Sequence, residues 1–196
     1  DTEIKEIRGL ADISGKTVNI FLGAVAEEQR AAVHGKIIFG DGEPRLSLVA
    51  ESQEFDPSRI LPDCPYHGAV AVVANISGTP SNPAVKGELS AKSGEVYGYT
   101  FSNAKAYAAY EDGRIVLRSL KTELYGGRAE AEGEFDAKSF GFNGHVKLYD
   151  VSMEGFGGVL PGISGKVSGD LGIAGRGNDA NMLSVYGSVS AKDAGY

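Results

Sequence analysis

The chain has 196 residues, with 28 glycines, 7 prolines, a single cysteine and a formal net charge of -7 at pH 7. That acidic balance, with no run of Lys or Arg to neutralise phosphates, excludes a nucleic-acid-binding stripe, and no apolar stretch approaches the roughly 18 residues needed to span a bilayer. One cysteine cannot close an internal disulfide, and the glycines follow neither a G-X-Y period nor a low-complexity block, so collagen-like and disulfide-scaffold classes are also excluded.

Taken in order, residues 1–16 carry Ile4, Ile7, Leu10 and Ile13 at a spacing of three, which predicts a helical turn or two, or an irregular lead-in. From Thr17 the period changes to two. TVNIFLGAV (17–25) and RAAVHGKIIF (30–39) read as strands, Asp41, Gly42 and Pro44 mark a turn, and RLSLVAES (45–52) sets Leu46 and Leu48 against Arg45, Ser47 and Val49. Asp56 as N-cap with Pro57 at the first helical position predicts a short helix over 55–62, ended by Pro62. Residues 68–78 then alternate Val70, Val72, Ala74 and Ile76 with other residues, the pattern of a strand with two unlike faces.

The stretch 96–110 predicts two strands broken near Asn103, followed by a turn at 111–113 and a further strand over 114–127. Residues 127–135 give the cleanest alternation, with Ala129, Ala131, Gly133 and Phe135 against Arg128, Glu130, Glu132 and Glu134. Phe142, Gly144, Val146 and Leu148 continue it against Asn143, His145, Lys147 and Tyr149. The segment 153–161, MEGFGGVLP, mirrors the earlier short helix.

A repeat organises these elements. The glycine-bounded unit 68–78 returns at 165–175, and Ser90-Ala91-Lys92 recurs as Ser190-Ala191-Lys192. Gly35 and Gly133 lie 98 residues apart, and Pro62 and Pro161 lie 99 apart. A period near 100 exceeds that of simple solenoids, so each period must contain several strands and a short helix. The expectation is an all-β chain: a long, curled antiparallel sheet, trough- or taco-like, with short helices between modules. It forms one continuous structure, a fragment of a longer protein, with repeat copies over about 30–136 and 137–196, the second truncated. Strands at either end of such a sheet present unpaired backbone groups that recruit partners or are covered by residues 1–16.

In their order, the motifs ILP (60–62) and VLP (159–161), Gly68 to Gly78, Pro83 to Gly87, and Leu120 to Gly133 with Gly126-Gly127 resemble the AsmA-like superfamily over roughly residues 30–196. The resemblance implies a long sheet curled into a trough lined by apolar side chains. It also implies a non-enzymatic cell-envelope protein, anchored in the inner membrane of a Gram-negative-type envelope, that crosses the periplasm to reach an Omp85-type outer-membrane partner. Phospholipid transfer between membranes and outer-membrane protein assembly are the associated roles. The cargo would be lipid acyl chains or unfolded outer-membrane β-strands.

The residues expected to line the groove are Val70, Val72, Ile76, Val85, Leu89, Ile115, Leu117, Phe135, Phe142, Val146, Leu148, Val167, Leu171, Ile173, Val185 and Val189. A closed sandwich or barrel core produces the same alternation. A repetitive, adhesin-like surface module with such a core is therefore the alternative reading. His34, His67 and His145 each sit in strand-like sequence without a second ligand at metal-binding spacing, and read as exposed strand histidines. Cys64 has no catalytic-type partner nearby and reads as inert or partly buried. Gly-rich segments at 155–162 and 172–179 fit no phosphate-binding motif and read as turns. No catalytic cluster, cofactor or metal site is expected.

Overall fold

The computed structural model describes residues 4–26, 29–59, 64–157, 162–177 and 182–195. Among these residues thirteen strands form one antiparallel sheet that curls along its length and does not close. They are β1 (Ile4–Ser14), β2 (Thr17–Ala26), β3 (Gln29–Ile38), β4 (Arg45–Phe55), β5 (Tyr66–His67), β6 (Val70–Gly78), β7 (Pro83–Val96), β8 (Tyr99–Glu111), β9 (Arg114–Leu124), β10 (Gly127–Asp136), β11 (Gly141–Ser152), β12 (Ser164–Arg176) and β13 (Ser184–Gly195). Each pairs with its neighbour in sequence, except that β6 follows β4 and the two-residue β5 pairs with β7. Two single 3-10 turns, η1 (Pro57–Arg59) and η2 (Met153–Phe156), interrupt the meander.

Local chemistry accounts for the meander. Three hairpins close through Tyr97-Gly98, Asp112-Gly113 and Tyr125-Gly126, each pair with two positive φ angles (51° and 84°, 53° and 82°, 47° and 75°). Those are the angles of the two-residue turn whose twist matches that of flanking strands, and glycine takes the second position without steric cost. Asp56 caps η1 as its sequence position predicts: its Oδ1 accepts hydrogen bonds from the Ser58 backbone N–H (3.0 Å) and hydroxyl (2.7 Å).

Three expectations are corrected. Residues 4–14 form the edge strand β1, paired over its length with β2, and not a helix or irregular lead-in. The spacing of three arose because Ile7 and Ile13 lie on one face and Leu10 on the other. Residues 99–111 are the single strand β8, not two strands broken near Asn103. Asn103 takes φ 51° inside the strand and switches the face on which successive side chains emerge. Phe101 and Ala104, three apart, therefore line the same cavity. Within the helix expected over 55–62 the described residues form the single turn η1 (Pro57–Arg59), and residues 60–62, with the ILP motif, and 159–161, with the VLP motif, lie outside the described residues.

The pairing registers reveal two six-strand units: β1–β4, β6 and β7, then β8–β13. Val18↔Ile37↔Leu46 in the first corresponds to Ile115↔Phe135↔Phe142 in the second. The hydrogen bond from Phe39 N–H to Lys16 O (2.7 Å) returns as Ala137 N–H to Gly113 O (2.9 Å). The β4–β6 register slips between Ser52 and Phe55, and the β11–β12 register slips between Leu148 and Val151. The pairs on either side of the slip match as well: Ser52↔Val72 with Leu148↔Gly169, and Phe55↔Val70 with Val151↔Val167. This division, 4–96 and 99–195, differs from the expected 30–136 and 137–196 because the first unit begins with β1, whose strand character its sequence obscures.

Candidate functional site: an open apolar face

In an antiparallel sheet, directly opposed residues project from the same face, so the register assigns faces without ambiguity. One continuous line runs Leu48, Ile76, Val85, Tyr110, Ile115, Phe135, Phe142 across seven adjacent strands. A second runs Val72, Leu89, Ala106, Leu120, Ala131, Val146, Leu171. Following the remaining pairs puts Val70, Leu117, Leu148, Val167, Ile173, Val185 and Val189 on this same face. All sixteen expected groove residues therefore share one side of the sheet.

That side is uncovered. Among the described residues only Val70, Ala91 and Val151 are buried apolar side chains, whereas Ile115, Val185 and Val189 are 43, 57 and 60% exposed; the other groove residues are half-buried. The accessible surface of 12869 Å² compares with about 8,900 Å² for a compact monomer of this mass. A sandwich or closed barrel would bury most of the inner face, so the closed-core architecture is not the one this chain adopts.

The best-formed part of the face is an apolar cavity of about 460 Å³, within the volume range of small-molecule sites. Val70, Leu89, Tyr99 and Phe101 line it, with Pro57 of η1 and Tyr66 of β5. Small residues leave it space: Ala91, Ala104 and Ala106 stand in the lining where larger side chains would fill it. Aromatic rings gather along the same margin of the sheet. Tyr66 packs on Phe101 with centroids 6.1 Å apart, and Phe156 of η2 meets Tyr99 at 5.6 Å and Tyr125 at 5.2 Å. Both single-turn helices thus lie at this margin and bound the apolar face.

Within this apolar margin, the Tyr66 hydroxyl has no hydrogen-bond partner among the described residues. Burial pushes its pKa above the ordinary 10.0, with the nearby Asp56 carboxylate adding to the effect, because the phenolate would be poorly solvated beside the cavity.

The opposite face is charged. Glu130 pairs with Lys121 at 3.8 Å, Arg128 lies 4.1 Å from the centre of the Tyr149 ring, and Asp170 joins Lys147 at 3.8 Å and His145 at closer range. The His145–Asp170 pair was not legible in sequence because the carboxylate arrives from the next strand. His34 stacks on Phe21 across strands, with ring centroids 6.3 Å apart. Cys64 is a half-buried free thiol. Among the described residues, no three His, Cys, Asp or Glu side chains gather in a metal-binding group, and no helix is long and apolar enough to cross a membrane. No protein-family model, curated protein or solved structure matches the chain.

Proposed function

We propose that this chain is a non-enzymatic part of an AsmA-like envelope bridge of the type represented by the translocation and assembly module subunit TamB, and that its apolar face shields hydrophobic cargo in transit. The reading places it in the periplasm, with the full-length protein anchored in the inner membrane and meeting an Omp85-type partner at the outer membrane. Phospholipid acyl chains are the favoured cargo and unfolded outer-membrane β-strands the second.

The observation that carries the reading is the uncovered apolar face, continuous from strand to strand and backed by a charged face. Leaving that much apolar surface hydrated is unfavourable by about 25 cal/mol per Å², and large exposed apolar patches commonly mark interaction surfaces. An acyl chain sliding along the face needs no directional polar partners, which suits a surface built from Val, Leu, Ile, Ala and Gly. The rival adhesin-like reading requires a closed core, and this sheet is open.

A photo-reactive amino acid at Leu89 or Leu171, compared with one at Lys86 on the charged face, tests the proposal in cells. The expected result is phospholipid adducts at the two apolar positions and none at Lys86. Polypeptide adducts would transfer the role to unfolded strands, and equal labelling at all three would overturn the groove. Leu171→Asp is expected to remain folded, with a melting temperature within a few degrees of the parent, because its carboxylate stays hydrated on the open face. It should nevertheless lose lipid adducts, because filling the groove would desolvate that charge.

A further inference from the structure

The apolar cavity owes its lining to an irregularity inside β8. Phe101 and Ala104 both line it although they are three residues apart, and the two residues between them face the other way. The Ser102 hydroxyl (3.1 Å) and the Asn103 side-chain amide (2.8 Å) both donate to Glu123 Oε2. Glu123 is opposite Arg128, so that carboxylate belongs to the charged face. The β8–β9 register slips at the same place, between Ser102↔Glu123 and Lys105↔Lys121, which sets Asn103 and Ala104 against Thr122 alone. This is a β-bulge, a device that re-aims side chains.

Asn103 supplies the conformation that the bulge needs. It has φ 51°, and asparagine enters that left-handed region more readily than most side chains. In an unbroken strand with Ala104 and Ala106 on the apolar face, strict alternation would send Phe101 and Tyr99 to the charged face. The bulge returns both rings to the cavity. Gly94 on β7 leaves room for the first of them: a Cβ there would lie 2.6 Å from Phe101 Cζ. Phe156 of η2 packs against the second, Tyr99, with centroids 5.6 Å apart.

We infer that Asn103 is the positioning residue of a discrete seat, the cavity itself, in which one acyl tail of a phospholipid comes to rest. The inference depends on the reading that the apolar face takes lipid, and adds where on that face a tail is held and what builds the place. Length fits the occupant. The seat crosses β6, β7, β8 and β9, from Val70 through Leu89 and Ala106 to Leu120. Three interstrand gaps of about 4.8 Å make about 14 Å, and half the hydrocarbon core of a bilayer, the depth that one tail fills, is about 15 Å.

The chemistry of the lining fits as well. The Thr122 hydroxyl is tied to the Ser102 carbonyl oxygen (2.9 Å), and the Tyr66 hydroxyl is enclosed beside Gly68 and Gly94. A peptide laid here would lose the hydration of its own N–H and C=O groups without gaining partners for them, which is costly. A hydrocarbon tail has no such groups to satisfy.

Photo-labelling of the full 196-residue chain tests the seat, using vesicles of phosphatidylethanolamine and phosphatidylglycerol in which one tail carries a diazirine near its methyl end. Adducts mapped by peptide mass spectrometry should concentrate at Leu89, Ala106 and Leu120 over Val146 and Leu171. Asn103→Val places a β-branched residue where φ is positive, which such residues resist. It should lower labelling at the first three positions about tenfold, the consequence of withdrawing an aromatic wall from the tail, and leave Val146 and Leu171 unchanged. Asn103→Gly, free to adopt that angle, should restore the pattern that Asn103→Val removes. Ala106→Phe fills the cavity without touching the bulge and should give the same selective loss, so it decides the matter even where Asn103→Val does not fold.

Even labelling along the face, or an unchanged pattern in Ala106→Phe, would overturn the seat and leave the lipid reading standing. An unchanged pattern in folded Asn103→Val, or no recovery in Asn103→Gly, would overturn the role of Asn103. Absence of adducts at all five positions would overturn the lipid reading and the seat together. Labelling by a diazirine-bearing free fatty acid but not by the phospholipid would overturn the phospholipid as occupant.

Discussion

The hairpin β6–β7 and its counterpart β12–β13 are near copies in sequence and register, yet their apolar residues have different fates. In the first, Val85 and Leu89 are half-buried and Ala91 is 7% exposed, while in the second their counterparts Val185 and Val189 stand at 57 and 60% and Ala191 is exposed. The strand chemistry is shared, so the difference comes from the neighbours. β7 has β8 along its far edge and Tyr66, Tyr99 and Phe101 around its end, whereas among the described residues β13 has β12 alone beside it. An alternating strand thus specifies which face is apolar, but burial is conferred by whatever lies beside it.

The largest test of that comparison contrasts Val151→Asp with Val189→Asp. Val151 is fully buried beside the register slip that leads into η2. An aspartate there must either ionise in an apolar site or stay protonated, at a cost of about several kcal/mol, comparable with the stability of a whole domain. The same substitution at Val189 leaves the carboxylate in water and should alter stability by less than about 0.5 kcal/mol. Circular dichroism melting reads both, and equal losses would mean that the edge strand is buried after all.

A smaller effect separates Gly87 from Gly187, which occupy matching positions. A Cβ at Gly187 would lie 2.0 Å from the Asp170 carbonyl oxygen, and the residue has φ 143°; at Gly87 the nearest atom is the Val73 carbonyl oxygen at 3.7 Å. Gly187→Ala should therefore cost about 1–3 kcal/mol, read as faster amide exchange along β12 and β13. Gly87→Ala should leave exchange along β6 and β7 unchanged. If the two behave alike, the units are less different in backbone than their angles indicate.

A third difference is electrostatic. Asp136, at the end of β10, accepts hydrogen bonds from the backbone N–H groups of Ser139 (2.8 Å) and Lys138 (2.9 Å). Chiefly through Ser139, its pKa is held below the ordinary 3.8. The matching position in the first unit is Ile38, which has no such group. A carboxylate with a lowered folded-state pKa adds stability that is present above its unfolded value and is lost as pH falls through the folded one. Asp136→Asn should therefore melt below the parent at neutral pH, and the gap should close as pH is lowered beneath 3.8. A gap that persists in acid would assign the effect to shape and not to charge.

How far the fold was readable follows from which of its causes are local. The two-residue period of 127–135 and the turn at Asp112-Gly113 are properties of a few consecutive residues, and they placed β10, the start of β9 and the apolar face, whereas the turn at Tyr125-Gly126 falls inside the strand expected over 114–127. The open shape was not readable, because a closed core needs the same alternation. β1 was missed because Ile7, Leu10 and Ile13 alternate between faces in a way that imitates a helix. The break expected near Asn103 is instead a point inside β8 where its left-handed geometry, φ 51°, changes the face. The cavity depends on Pro57, Tyr66, Leu89, Phe101 and Leu120 meeting from five separate elements, and His145 meets Asp170 only through the β11–β12 register. Pairings of that kind leave no mark on neighbouring residues in sequence.

The smallest predicted effect concerns a residue at which the units differ in polarity. Tyr66 leads into the β6–β7 hairpin, and the position equivalent to it before β12 is Ile163, so the second unit dispenses with a hydroxyl there. In the first unit the hydroxyl is enclosed without a partner among the described residues, and a buried donor that makes no bond loses its hydration for nothing. Tyr66→Phe keeps the ring against Phe101 and removes only that oxygen, so the variant should melt at the same temperature as the parent or slightly higher. The pH dependence sharpens the point. Because desolvation, and then Asp56, raise the Tyr66 pKa above 10.0, folding favours the neutral phenol, and the parent should lose stability as pH rises past 10 while the unfolded chain ionises first. Tyr66→Phe should lack that component of the alkaline loss. A variant that melts well below the parent at neutral pH would show that the hydroxyl is bonded in solution, and the first unit would then hold its hairpin by a polar contact that the second, with Ile163, has no means to make.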